Sequence, residues 1–91
     1  MITGIRLYIT YVKLKRKTGE KYVGMASALV ADDSEESADK VLMRRENAPH
    51  HKNKDGFEAG KVDKISTDRN AIRGREQMLY EHFEKESTIT S

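Results

Sequence analysis

The chain reads as a small α+β domain, a three-stranded, mainly antiparallel sheet flanked by two helices. Three observations predict this. Residues 5–14 are rich in β-branched and aromatic types and alternate with period two. Lys17-Thr18-Gly19-Glu20 then supplies a turn signal between two strand-like runs. Two later segments carry apolar residues at helical spacing, each behind a capping residue.

Taken in order, residues 5–14 place Ile5, Leu7, Ile9 and Tyr11 on one face and Tyr8, Val12 and Leu14 on the other. The turn covers about residues 15–20, where Gly19 can take a positive φ. Residues 21–26 form the return strand, and Gly24 inside it marks a bulge or a close approach by another group. Asp33 or Ser34 caps a first helix, with Glu36 placed to complete a capping box from Asp33. This helix runs to about Asn47 and stops before Pro49. Its stripe is Ala38, Val41 and Leu42, continued by Arg45. Residues 48–69 are mostly loop, with a short third strand expected over 61–67. A second helix is capped by Asn70 and ends near Lys85, with Ile72, Leu79 and Phe83 on one stripe. The last residues, 87–91, read as frayed.

At 91 residues the chain is one domain with a modest core. Charged residues make up 35% and apolar residues 36%, so each apolar position has to be used. The absence of cysteine excludes disulfides, thiolate metal sites and cysteine nucleophiles. No apolar run approaches a membrane span, and no partner membrane is expected. The net charge of +2 decides little, but its distribution is uneven. Lys13, Lys15, Arg16, Lys17 and Lys21 cluster on the hairpin, and Asp32, Asp33, Glu35 and Glu36 form an acidic run. The basic hairpin, with Arg44, can meet nucleic-acid phosphates; equally, lysines can keep a sheet edge soluble.

The residues that carry chemistry are Tyr11, Tyr22, Arg45, His50, His51 and Glu76. Tyr11 and Tyr22 are separated by ten residues, and a hairpin sets their phenols on neighbouring strands. Arg45 ends an apolar helix stripe, and Glu76 interrupts one. A carboxylate there is costly unless paired or bound to metal. Each has a plainer reading: a cross-strand aromatic pair, a snorkelling arginine, solvent-exposed histidines, and a glutamate paired with Arg73, Arg75 or Arg45. Phosphodiester hydrolysis needs an activated water, a Lewis acid and a cationic clamp. Glu76 would hold one Mg²⁺ or Mn²⁺. Arg45 would stabilise the anionic transition state. A phenol or His50/His51 would take the proton, and a phenol doing so needs its pKa lowered from about 10.

Tyr11, followed after ten residues by Tyr22-Val23-Gly24, resembles the paired motifs of the GIY-YIG nucleases. A helical arginine, a histidine and a later helical glutamate follow in that family's order as Arg45, His50/His51 and Glu76. The run 71–79, Ala-Ile-Arg-Gly-Arg-Glu-Gln-Met-Leu, looks like the family's glutamate helix. Together with His50-His51 and Gly56-Phe57 it also resembles nuclease domains at the C-termini of bacterial polymorphic toxins. The chain departs from the pattern in three places. Ile9-Thr10 lacks the glycine of the first motif, Arg45 lies unusually far past Tyr22, and no clear equivalent of the asparagine that often follows the glutamate helix is present. The resemblance implies a metal-dependent endonuclease whose partner is nucleic acid, DNA being expected ahead of RNA. It also implies a toxin effector carried into a target cell's cytoplasm on a larger chain, with a cognate immunity protein as partner. Two rivals are a non-catalytic nucleic-acid-binding module and a small protein-interaction domain.

Overall fold

The computed structural model describes residues 4–47 and 57–87. Its elements are β1 (Ile5–Lys15), β2 (Glu20–Val30), α1 (Glu35–Glu46), β3 (Lys61–Ser66) and α2 (Arg69–Lys85). The strands form one sheet in the order β2-β1-β3, antiparallel throughout. The expected α+β class and its three strands are present, and β2 runs four residues beyond the predicted end at Ala26.

The hairpin register explains both faces of the sheet. Leu7 pairs with Ala28, Ile9 with Ala26, Tyr11 with Gly24 and Lys13 with Tyr22. Residues directly opposite point to the same side. That side meets α1, whose Ala38, Val41 and Leu42 join Leu7, Ile9, Tyr11 and Ala28 in the core. Gly19 turns the hairpin with φ +77°, its N–H reaching the Lys15 carbonyl at 2.8 Å. On the other face lies α2, tied down through a carboxylate on β3. Asp63 accepts from Thr10 Oγ1 at 2.8 Å and from Arg75 Nε and Nη2 at 2.7 and 2.9 Å. Asp63 reaches that face because the β1–β3 ladder shifts register between Thr10 and Tyr11. The bulge also lets Val62 and Ile65, three residues apart, both face α1.

The helix starts differ from expectation at both ends of the loop. Ser34 alone caps α1, accepting from the Ser37 N–H, and no capping box from Asp33 is used. Asp32 organises the cap instead: its carboxylate accepts from the Ser34 N–H and from the Ser34 and Ser37 hydroxyls. Those donors pull the Asp32 pKa down to about 2. For α2 the cap is Asp68 rather than Asn70, because Asp68 accepts from the Asn70 N–H at 2.9 Å. No helix among the described residues is long and apolar enough to cross a membrane.

Candidate functional site

Tyr11 is the centre of the best-defined cluster. It is fully buried at a position where β1 faces α1. Its ring lies flat across Gly24 of the neighbouring strand. A Cβ built on Gly24 would stand 2.8 Å from Tyr11 Cε1 and closer still to Cζ and Oη. Glycine is therefore needed here for room, so the close approach anticipated at Gly24 is made by Tyr11. Because β2 is an outer strand, this placement carries the phenol oxygen toward the sheet's outer edge.

Two of the candidate side chains converge on that oxygen. The Arg45 guanidinium donates to it, and the Tyr11 hydroxyl is hydrogen-bonded to Tyr22. Arg45 gets there because it extends the buried Ala38, Val41 and Leu42 stripe by one turn. The tyrosine rings stand 6.3 Å apart at 42°. They lie on neighbouring strands, as expected, in a diagonal arrangement: Tyr11 faces Gly24, and Tyr22 faces Lys13. Phe57 packs edge-on against Tyr22 at 6.3 Å and closes the other side. The sequence required a lowered phenol pKa. At Tyr11 burial pushes the phenol above its usual value, outweighing the opposing hydrogen bond from Arg45.

Glu76 is not part of this cluster. It sits half-buried on α2, on the far side of the sheet, between buried Ile72 and Leu79. Its level along the sheet follows from two anchors. The Lys21 ammonium lies 4.7 Å over the Phe83 ring, and Arg69 shares a cleft with Met25 and Ser27. Glu76 is midway between Phe83 and Arg69, about 10 Å from each along the helix. The midpoint of Lys21 and Ser27 on β2 is Gly24. Glu76 and the Tyr11 ring thus lie on opposite faces of the sheet, at about the same level along β2. Among the described residues the Glu76 carboxylate makes no ion pair or hydrogen bond. The expected partner Arg75 is held by Asp63 instead.

The basic hairpin is rearranged relative to expectation. Lys13, read as a phosphate-binding residue, is fully buried on the Tyr11 face, because it continues the period-two run one step past Tyr11. Burial lowers its pKa, opposed by attraction to Glu46. Lys15 lies over the Phe57 ring at 5.7 Å, and Arg16 is salt-bridged to Glu58 at 2.7 Å. Lys21 is on the α2 face with Phe83, whereas Arg44 is exposed. His50 and His51 lie outside the described residues. Sequence reasoning missed Lys13 as a site neighbour and Asp63 as the partner of Arg75. Strict alternation from Tyr11 would have found the first; no sequence signal announces the bulge behind the second.

Among the described residues no group of three or more histidines and carboxylates is placed to hold a metal ion. A site built on one carboxylate is a different case. Glu76 is an oxygen donor whose charge no arginine neutralises, which fits a hard divalent ion that retains several waters.

No family model, no curated protein and no solved structure matches this chain.

Proposed function

We propose that the domain is a divalent-metal-dependent phosphodiesterase that cuts nucleic acid, with its site at the outer edge of β2. The observation that carries this reading is the hydrogen-bonded run Arg45–Tyr11–Tyr22 laid over Gly24. A hairpin stabilised only by aromatic packing would not need the guanidinium on the phenol oxygen.

The roles divide by accessibility. Tyr11 is buried and its oxygen is committed to Arg45 and Tyr22, so it positions rather than exchanges protons with solvent. Tyr22 is half-buried, so solvent can reach it, and to it we assign the proton transfer. Arg45 is exposed beyond its bond to Tyr11 and offers its remaining N–H groups to a phosphate. Glu76 would hold Mg²⁺ or Mn²⁺, which supplies Lewis-acid stabilisation of phosphoryl charge. Arg45 and Glu76 then approach one phosphate from the two faces of the same outer strand.

The test is a cleavage assay of the purified protein on plasmid DNA and total RNA, with Mg²⁺ or Mn²⁺ and with EDTA, beside Glu76→Ala. Metal-dependent cutting that disappears in the variant is the expected result. A folded protein that cuts nothing under any of these conditions would overturn the reading.

A further inference from the structure

One cleft, of about 550 Å³, opens where the outer edge of β2 runs between the two helices. Four arginines line it: Arg44 and Arg45 from α1, Arg6 from β1 and Arg69 from the first turn of α2. Tyr8 and Met25 form part of its floor. No aspartate or glutamate lines it among the described residues. The acidic residues next in sequence to Arg45 and Arg69 have partners elsewhere. Glu46 accepts from the Gly60 N–H, and Asp68 caps α2. Among the described residues, Arg45 has Tyr11 as a side-chain partner, and Arg6 makes one long contact of 3.4 Å to Ser27.

Like charges gathered from three separate elements repel one another, and the fold gains nothing by collecting them without a counter-charge. Only an anion completes such a cleft. Planar guanidinium donors match phosphate oxygens two at a time. The groups come from three elements on the two faces of the sheet, which suits a chain of phosphates better than a single ion. We propose that this cleft is the track for the nucleic-acid backbone. In it Arg6 and Arg69 hold phosphates flanking the one presented to Arg45, and the hairpin lysines lie off the path. This deepens the phosphodiesterase reading and rests on it for the identity of the strand.

The experiment uses the Glu76→Gln protein, so that substrate binds without being cut, and measures oligonucleotide affinity by anisotropy over a salt series. In that background Arg6→Ala with Arg69→Ala should weaken binding about tenfold at low salt. The slope of log K against log salt should fall by about 1.8 for a duplex, at about 0.9 per phosphate contact. Lys17→Ala, an exposed hairpin control, should change affinity less than about twofold. Both arginines are exposed, so a circular-dichroism melt should match the parent. Unchanged affinity and slope in the arginine variant, in a protein whose Glu76 form cuts, overturns the track and leaves the nuclease reading standing. Displacement of the oligonucleotide by inorganic phosphate at matched ionic strength reassigns the cleft to free phosphate and also overturns it. Loss of binding in the arginine variant of a protein that never cuts supports the track and removes the nuclease. A wild-type protein that neither binds nor cuts removes both.

Discussion

Adding one methyl group at Gly24 should do damage out of proportion to its size. In an ordinary strand, glycine to alanine stabilises by about 0.4–1 kcal/mol, because the unfolded chain loses freedom. Here the new Cβ would stand 2.8 Å from Tyr11 Cε1 and closer to Cζ and Oη, inside the distance that non-bonded carbons tolerate. The ring is fully buried between β2 and α1 and has no empty direction in which to retreat. Overpacking of this kind costs about 1–3 kcal/mol. Setting one effect against the other leaves Gly24→Ala about 1–2 kcal/mol less stable. In a domain of this size each kcal/mol lowers the melting temperature by about 4–8 °C. The diagnostic is a double-mutant cycle by urea denaturation with Tyr11→Leu. Once the ring is gone, the alanine should become neutral or mildly stabilising, giving a coupling of about 1–3 kcal/mol. Cleavage should fall about a hundredfold in the single variant, as Tyr11 is pushed off Arg45. Gly24→Ala melting at or above wild type, or an additive cycle, would refute the stacking of ring on glycine.

The remaining predictions concern the groups around that ring. Glu76→Gln should abolish cleavage while melting at or slightly above wild type, since a charge leaves an apolar stripe; a melting temperature many degrees lower would mark Glu76 as structural. Tyr22→Phe should slow cleavage by about 10²–10⁴-fold with little change in melting, and an unaltered rate would remove its proton-transfer role. Arg45→Lys should be nearly as inactive as Arg45→Ala, because an ammonium cannot serve the phenol and a phosphate from one plane; a fully active lysine variant would shift the role to Arg44. Asp63 makes stability pH-dependent. Its hydrogen bonds from Arg75 hold its carboxyl below the usual 3.8, so its contribution is present above about pH 4 and is lost as pH falls through the depressed value. Urea melts between roughly pH 5 and 2 should show this loss, and Arg75→Gln should flatten it; an unchanged pH profile would separate Asp63 from acid unfolding.

The hairpin, both helices and the short third strand were legible because their periods are strong. Tyr11 and Arg45 were found for the same reason, since each sits at the step of an apolar run where a polar tip can emerge. Lys13 was misplaced because charge was given more weight than parity. It occupies the next inward step after Tyr11, and the strand's alternation carried it inside. Glu76 was correctly singled out as a carboxylate in an apolar stripe, but a linear stripe does not say which face of the sheet will receive it. That depends on α1 and α2 packing on opposite sides, a property of the whole chain. The arginine cleft was illegible for a similar reason, as Arg6 and Arg69 are distant in sequence and meet only through the sheet.

The extra residue in β3 has a consequence for how this chain can change length. Below the bulge and above it, the strand obeys opposite parities, so Val62 and Ile65 share a face that ordinary spacing would deny them. Removing Asp63 would restore a straight ladder and take no apolar side chain from the core. It would also leave no side chain out of step to cross to the other face. Asp63's grip on Thr10 and Arg75 would go with it, and α2, with Glu76 on it, would lose its polar tether to the sheet. The bulge is thus a single-residue insertion on which the alignment of the two faces depends, and a search for distant kin should permit a one-residue gap there.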